Sequence, residues 1–522
     1  MKVDQVKAGT LLSYVQNVLT LIVSVIYTPV MIRCLGQSEY GLYQTAASVI
    51  SVLSLLSLGF NSGYIRYYSK YKKDGDVLSI ERLNGLFLLL FSVIGLISLA
   101  CGAVIVPNLS LIFDQGLTEA EYHIARILLI LLIANLSISF PAGVFSTIIS
   151  AHERFVFLKL VGMIKTVLGP LVTLPVLLLG YRSVALVVVS LVSSLFADLL
   201  YLYYVLFVLR CKFRFSGFEK GLFAGLFAYT GFIAINMIVD QVNNHVDKVL
   251  LGRFCGTAAV SIYAVGSTLY TYYLSISTSV SSAFTPRVHH LYQRYHDTDR
   301  AVFREEITTL FIKVGRIQYL FLALLATGFV FFGKPFIRYW AGEEYALSYY
   351  ITLLLMLPVT VPLIQNIGIE VQRAENLHRF RSLVYLLMAT LNVGVSVLLI
   401  RRYGAIGAPI GTALSLLLAN GLIMNVYYQK KCDLDVFRFW KNILRLSLGL
   451  LLPVACACVF VRFVPIDSIV KLILSICVYT VIFALSMWFF GMNAYEKDLT
   501  RRVIARALAL IRKNKETPAE RR

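Results

Sequence analysis

The residues of this sequence best able to do chemistry are ionisable side chains inside long apolar segments. Asp240, Asn244 and Asp247 are spaced by four and three residues, and Lys248 follows directly, so the four side chains share one stripe of a helix. An ionisable group inside a hydrocarbon layer costs about 3 kcal/mol or more, and it therefore usually faces a cavity. We predict that Asp240, Asn244 and Asp247 line a cavity. In the alternative, Asp247 and Lys248 neutralise each other at the outer interface.

Two further carboxylates stand in apolar segments. Glu370 lies four residues after Asn366 and three before Arg373, again on one helical face, and Asp198 is set among tyrosines. A carboxylate in such a position can take up a proton or bind a cation. We predict Asp240, Glu370 and Asp198 as ion-coupling groups and place Arg373 in the same cavity. The alternative for Glu370 is a capping or snorkelling role at the end of its helix.

Three basic residues have the chemistry to bind phosphate. Arg66 and Arg287 each stand near the end of an apolar segment, at almost matching positions in the two halves of the chain. Two guanidinium groups that face each other can hold a diphosphate through paired hydrogen bonds. We predict Arg66, Arg287 and Lys248 as diphosphate-binding residues. The alternative for the two arginines is an ordinary anchor at the cytoplasmic membrane surface.

The elements that must position these residues are membrane-spanning helices. Of the 522 residues, 58% are hydrophobic and 15% are charged, and the mean hydropathy is +0.76. Apolar runs of about 20 residues, enough for a helix to cross a hydrocarbon core of about 30 Å, recur about fourteen times. The first run, 8–32, is too long for a signal peptide and lacks a small-residue cleavage site. We predict an all-α polytopic membrane protein with about fourteen transmembrane helices.

The net charge of +20 is distributed as the positive-inside rule describes. If the first span starts in the cytoplasm, 37 of the 48 lysines and arginines fall in segments on the cytoplasmic side. This alternation predicts that both termini are cytoplasmic. It also argues against a nucleic-acid partner, since the basic residues sit in alternate loops rather than in one patch.

An internal repeat organises the spans. Three residues recur at an offset of 220: Arg33, Gly36 and Tyr43 match Arg253, Gly256 and Tyr263. An offset of this size indicates a duplicated half-protein. Six helices per repeat would insert in the same sense, so we predict two six-helix bundles related by a pseudo-twofold axis along the membrane normal. The predicted divisions are an N-terminal bundle (1–215), a C-terminal bundle (216–432), two additional spans (433–495) and a basic cytoplasmic tail (496–522) that lies on anionic lipid as an amphipathic helix.

Signals of enzymatic chemistry are weak. The sequence has no GxxxxGK[ST], HExxH or GxSxG motif, and its eight cysteines show no spacing typical of a zinc site. The Asp433-Leu-Asp435 triplet has the form of a metal-binding motif of glycosyltransferases, but no nucleotide-binding domain accompanies it. We predict a protein that is not an enzyme and that uses no metal and no cofactor.

Four segments carry a resemblance to a known family. They are LGQSEYGLY at 35–43, DKVLLG at 247–252, QRAENLHRFRS at 372–382 and YGAIGAPIGT at 403–412. Through these segments the sequence resembles the polysaccharide and O-antigen flippase branch of the multidrug/oligosaccharidyl-lipid/polysaccharide exporter superfamily. The resemblance covers nearly the whole chain. The resemblance implies two six-helix bundles with two extra helices, which agrees with the predicted spans.

The same resemblance implies transport. Members of this branch move a polyprenyl-diphosphate-linked oligosaccharide, as used for O-antigen and lipopolysaccharide, from the cytoplasmic to the outer leaflet of the bacterial inner membrane. The expected mechanism is alternating access coupled to a cation or proton gradient. The implied partners are this lipid-linked oligosaccharide, H⁺ or Na⁺, membrane lipid and polysaccharide-assembly proteins.

Three other functions are compatible with the sequence. The peptidoglycan-precursor flippase branch has the same number of spans. A multidrug/cation antiporter of the same superfamily shares the paired bundles but commonly has fewer spans and fewer cavity arginines. A membrane polysaccharide polymerase usually needs a large outer loop, and the longest outer loop predicted here, near 106–122, is small.

Overall fold

The computed structural model describes residues 5–502 except 58, 112, 114–116, 219–220, 296–297 and 376, together with 505 and 509. This described part is almost entirely helical and contains no strand. In chain order its α-helices are α1 (Gln5–Leu53), α2 (Phe60–Asp74), α3 (Val77–Ile105), α4 (Glu119–Ala151), α5 (Phe155–Leu178), α6 (Ser183–Tyr203), α7 (Leu222–Gln241), α8 (Asp247–Ser282), α9 (Thr285–Tyr295), α10 (Arg300–Trp340), α11 (Ser348–Ile364), α12 (Asn366–Ala374), α13 (His378–Tyr403), α14 (Gly407–Leu416), α15 (Asn425–Lys431), α16 (Val436–Ser447), α17 (Leu451–Phe463) and α18 (Ile469–Ser486).

Ten helical segments of the described part are long and apolar enough to cross a membrane. Three of them run for 68, 62 and 53 residues, more than twice the roughly 20 that one crossing needs. Each contains a glycine with positive φ, Gly36, Gly256 or Gly404, at which one span ends and the next begins. A further span consists of α11 and α12, which are bent by 46° at Gln365. With each long segment counted as two spans, the total agrees with the fourteen that the sequence predicts.

The two glycines at matching positions of the repeat share one backbone conformation. Gly36 has φ 74° and ψ 173°, and Gly256 has φ 80° and ψ 178°. This region is essentially restricted to glycine, because a Cβ atom would clash with the backbone. The sequence repeat is therefore also a structural repeat at these two turns.

The segments that follow the two glycine turns pack directly against each other. A Cβ atom on Gly41 would lie 1.9 Å from the carbonyl oxygen of Thr257, so the approach of the two backbones requires glycine. Ser38 Oγ lies 3.0 Å from Thr257 Oγ1, and the Ser38 hydroxyl also donates to Glu121 at the start of α4. We call Ser38, Gly41, Glu121 and Thr257 the turn junction.

By the proximity of its Cα atoms the chain divides into two compact units. The first comprises Met1–Ser275, Trp340–Leu355 and His378–Ala419, and the second comprises Ile276–Tyr339, Met356–Leu377 and Asn420–Arg522. The core of the first unit is rich in aromatic side chains of α2 and α3, such as Tyr64 and Phe87, whose ring centroids are 5.1 Å apart. In the second unit, Phe332 of α10 packs against Tyr479 of α18 with a centroid distance of 5.6 Å.

The divisions predicted from the sequence rest on the spans and the internal repeat, whereas the two units rest on the proximity of Cα atoms. The boundaries 1–215, 216–432, 433–495 and 496–522 and the pseudo-twofold axis stay predictions. The amphipathic helix expected in the tail falls largely outside the described residues.

Large apolar side chains cover the outside of many helices. Leu179 is 76% exposed, and Leu178 and Phe463 are exposed to a similar extent. A soluble protein rarely exposes extensive apolar patches, whereas lipid covers them at no cost. The composition, the long apolar helices and this surface make the chain a multi-pass membrane protein, as predicted.

A buried ion pair fastens the C-terminal segments of the second unit. Arg316 of α10 donates from Nε to Glu496 Oε1 at 2.5 Å and from Nη2 to Glu496 Oε2 at 2.9 Å. Its remaining donors reach the carbonyl oxygens of Asn442 and Gly491 at 2.9 and 3.1 Å. The guanidinium therefore joins α10 to α16 and to the end of the last apolar helix.

Candidate functional site

A polar cavity of about 690 Å³ lies between α1, α2, α4, α5 and α6 of the first unit. Small-molecule sites usually measure roughly 300–1,000 Å³. Nine of the fourteen lining residues carry a polar side chain, which is unusual between apolar helices. The lining consists of Gly9, Thr10, Ser13, Gln16, Asn61, Ile65, Ser146, Thr147, Ser150, Phe155, Leu158, Lys159, Gly162 and Tyr201.

Hydroxyl groups of the lining are anchored within their own helices. Ser13 donates to the carbonyl oxygen of Gly9 at 2.8 Å, and Ser146 and Thr147 both donate to that of Gly143 at 2.9 Å. Such bonds use the hydroxyl proton locally. The oxygen lone pairs stay available to accept hydrogen bonds from a ligand.

Three lining side chains offer polar groups that the protein itself does not use. Gln16, Asn61 and Lys159 have no hydrogen-bond or ionic partner among the described residues. Lys159 is the single charged residue of the lining. Gly162 makes room for the Gln16 amide, because a Cβ at this position would lie 2.6 Å from Gln16 Nε2. The cavity thus presents two amides and one ammonium to a ligand.

Lys165 and Asp198 interact next to the cavity, on α5 and α6. Lys165 of α5 donates to Ser194 Oγ of α6 at 2.9 Å. The same ammonium interacts electrostatically with Asp198, which is half-buried. Asp198, a predicted ion-coupling residue, therefore has a basic neighbour that the sequence reading did not identify.

Asp247 is the centre of a buried cluster of oxygen atoms in the first unit. Its side chain is 3% exposed, and its Oδ2 atom accepts from Tyr263 at 2.9 Å and from Thr412 at 3.1 Å. Asn392 donates to Thr412 Oγ1 at 3.3 Å, and Ser396 donates to Asn392 Oδ1 at 3.2 Å. One carboxylate among neutral oxygens suits a proton or a hard monovalent cation. We call these five residues the Asp247 cluster.

The stripe predicted around Asp247 divides between two environments. Asp240 and Asn244 are exposed, and the Asn244 amide donates to the backbone oxygen of Asp240 at 2.7 Å. Lys248 is half-buried and donates to Gln44 Oε1 at 3.2 Å. A turn of π-helix, Val242–Val246, separates α7 from α8 and shifts the helical register between the two groups.

The predicted phosphate-binding arginines are exposed. Arg66 of α2 stacks on Tyr229, with the guanidinium carbon 4.4 Å from the ring centroid, and it is not part of the cavity lining. Arg287 lies at the start of α9, in the second unit. Also in the second unit, Arg373 forms an ion pair with Glu370 at 2.7 Å, as their spacing on one helical face allows.

Sequence reasoning missed two groups in the first unit. Glu39 of α1 is buried against the first residue of α6, where its carboxylate accepts from the backbone N–H of Ser183 at 2.8 Å and from the Ser183 hydroxyl at 2.5 Å. The charge pattern predicts Lys159 only as one of the 37 basic residues on the cytoplasmic side, and its place in the cavity lining was not predicted. The signal for the cavity was present in α1, where Thr10, Ser13 and Gln16 recur every third residue along an apolar helix.

Solved structures with this fold are membrane transporters. The lipid II flippase MurJ in an inward closed conformation has a TM-score of 0.69 at 16% identity, over 94% of this chain and 99% of that chain. A multidrug resistance transporter of the MATE family, in an inward-facing conformation, has a TM-score of 0.59 at 13% identity, over 80% and 99%. A mutant of the MATE transporter VcmN from Vibrio cholerae has a TM-score of 0.56 at 14% identity, over 83% and 98%. These similarities establish the fold.

The family follows from the sequence itself. Residues 6–291, more than half of the chain, match the family described as polysaccharide biosynthesis protein. The chain belongs to this family, which confirms the resemblance read from its motifs. No curated protein matches the chain in sequence.

Proposed function

We propose that this protein is a lipid-linked oligosaccharide flippase of a bacterial inner membrane. It moves a polyprenyl-diphosphate-linked glycan from the cytoplasmic to the outer leaflet, with both of its termini in the cytoplasm. The observation that carries the proposal is the cavity of hydroxyl, amide and ammonium groups within an otherwise apolar helical unit. Membership of a polysaccharide biosynthesis family and a transporter fold support the same conclusion.

The physical task is to carry sugars and a diphosphate through hydrocarbon. Each hydroxyl that loses water without a new partner costs several kcal/mol, and an unpaired charge costs far more. A polar cavity replaces the lost water with protein groups, while the prenyl chain stays in lipid. Rocking of one bundle against the other would switch the access of the substrate between the two leaflets.

For the diphosphate, we retain Arg66 and Arg287 as the binding residues. Both are exposed and carry a guanidinium with several donors in a planar fork, which matches phosphate geometry. Lys248 is the weakest of the three predicted groups, because its ammonium already donates to Gln44.

For coupling, the Asp247 cluster fits a transported proton or sodium ion best. Its carboxylate is buried, and hydroxyl oxygens converge on it. The other proposed coupling groups differ from it in environment. Asp240 is exposed, Glu370 is paired with Arg373, and Asp198 lies near Lys165.

The test uses proteoliposomes that contain the purified chain and a labelled polyprenyl-diphosphate oligosaccharide. We expect label to become accessible at the far leaflet, faster under an imposed proton or sodium gradient. Arg66→Gln and Arg287→Gln should each slow this transfer, whereas Arg438→Gln, at an exposed pair with Glu305, is the matched control. Absence of transfer by the folded chain would rule out the proposal.

The second candidate is a flippase of the peptidoglycan precursor. It is favoured by the TM-score of 0.69 to the lipid II flippase, against 0.59 to the first of the multidrug transporters. The same assay with lipid II in place of the oligosaccharide lipid separates the two functions. Efflux of cationic dyes with neither lipid transported would instead identify a multidrug antiporter.

A further inference from the structure

We propose that the cavity of the first unit is a saccharide subsite in which Lys159 binds a carboxylate of the transported glycan. The inference rests on the proposed function and specifies its substrate class, an acidic rather than a neutral oligosaccharide. Three features of the cavity carry it: the uncharged polar lining, the single unpaired ammonium, and the position of Arg66 outside the lining.

The uncharged part of the lining matches the chemistry of a sugar. Hydroxyl oxygens of Ser13, Ser146 and Thr147 can accept from sugar hydroxyls, because their own protons are used within the helices. The amides of Gln16 and Asn61 can both donate and accept. The lining therefore complements groups that alternate between donor and acceptor, as sugar hydroxyls do.

The charge in the cavity favours an anionic ligand. No Asp or Glu belongs to the lining, and Lys159 has no ionic partner among the described residues. Lys159 is half-buried, so its ammonium has lost part of its hydration, and an anionic ligand would compensate for that loss. A carboxylate on the glycan would do so and would accept from an ammonium that has three donors.

The diphosphate of the substrate is less suited to Lys159 than a sugar carboxylate is. The prenyl chain ties the diphosphate to the lipid, whereas the glycan is free to enter a space between five helices. Arg66, the nearest proposed diphosphate ligand on these helices, stacks on Tyr229 rather than lining the cavity. The diphosphate of one substrate molecule would thus bind Arg66, and its sugar carboxylate would bind Lys159.

The experiment compares three labelled probes on the same polyprenyl diphosphate: a trisaccharide that ends in glucuronic acid, its methyl ester, and its glucose analogue. The full chain is reconstituted in proteoliposomes. We expect the acid to be transported about tenfold faster than the ester, the effect of one charge-assisted hydrogen bond worth about 1.4 kcal/mol. Lys159→Gln should remove this preference and Lys159→Arg should retain it, with thermal unfolding as the control for folding.

Three results of this experiment would contradict the inference, and each has a different meaning. Equal transport of acid and ester by the unaltered chain would overturn the inference whatever the variants do. An equal loss for acid and ester in Lys159→Gln would assign Lys159 to the diphosphate, which both probes carry, and would also overturn it. Failure of the unaltered chain to move any probe would overturn the proposed function, and this inference with it.

Discussion

At the scale of single residues, Asp247 is distinguished by what surrounds it. Its carboxylate is 3% exposed and accepts hydrogen bonds from Tyr263 and Thr412, so a proton or cation that binds it is shielded from water. Asp240, seven residues earlier, is exposed. The same type of side chain therefore has two different capacities on one stretch of chain.

We predict that Asp247→Asn abolishes the stimulation of transport by a cation gradient. The amide keeps the size of the side chain and can still accept from Tyr263 and Thr412, but it has no charge to offer a cation. Transport rates with and without the gradient measure the effect. Asp240→Asn is the matched control and should keep the stimulation. The reverse pattern would move the coupling site to Asp240.

Gly162 controls the position of one cavity amide. In Gly162→Ala the new methyl group would lie 2.6 Å from Gln16 Nε2, so the Gln16 side chain must move. Because the clash is with the end of a flexible side chain, we expect a cost in stability of only about 1 kcal/mol but a clear loss of transport. Gly169→Ala, on the same helix with open space around the glycine, is the control. Unchanged transport in Gly162→Ala would show that the Gln16 amide does not bind the substrate.

At the scale of helices, the Arg316–Glu496 pair determines how firmly the C-terminal segments are held. Removing one partner leaves a buried charge, which typically costs about 3–5 kcal/mol. We therefore expect Arg316→Met or Glu496→Gln to lower the thermal unfolding temperature strongly. The double variant Arg316→Met with Glu496→Met should recover part of the loss. Arg438→Ala, at the exposed pair with Glu305, should cost no more than about 1 kcal/mol.

The helices of the first unit show which features the local sequence predicts and which it does not. The spans follow from composition, and the turns at Gly36 and Gly256 follow from a repeat that glycine alone can satisfy. The cavity position of Lys159 could not be predicted, because counting charges indicates on which side of the membrane a basic residue lies and does not report which helix face it occupies. Thr412 lies 165 residues after Asp247, and such a contact depends on the packing of distant spans rather than on local periodicity.

At the scale of the whole molecule, alternating access requires some contacts to break in every cycle. The turn junction is the best candidate in the first unit, since it joins matching turns of the repeat through few side chains. The contacts between the two turns are a hydroxyl pair at 3.0 Å and a backbone approach that only Gly41 permits. Polar contacts of this kind contribute roughly 0.5–1.5 kcal/mol each, weak enough to open reversibly.

We predict that a disulfide between Ser38→Cys and Thr257→Cys stops transport. The two hydroxyl oxygens are 3.0 Å apart, so sulfur atoms in their places would need only a small movement to reach a bond length of about 2.05 Å. Cys34 and Cys255 lie close by in sequence and should first be changed to Ser, so that the new cysteines pair only with each other. Oxidation should then block transfer of the lipid-linked glycan, and a reductant should restore it. The single variants should be unaffected by oxidation. If the cross-linked chain transports at the rate of the reduced chain, the turn junction stays closed throughout the cycle and access must change elsewhere.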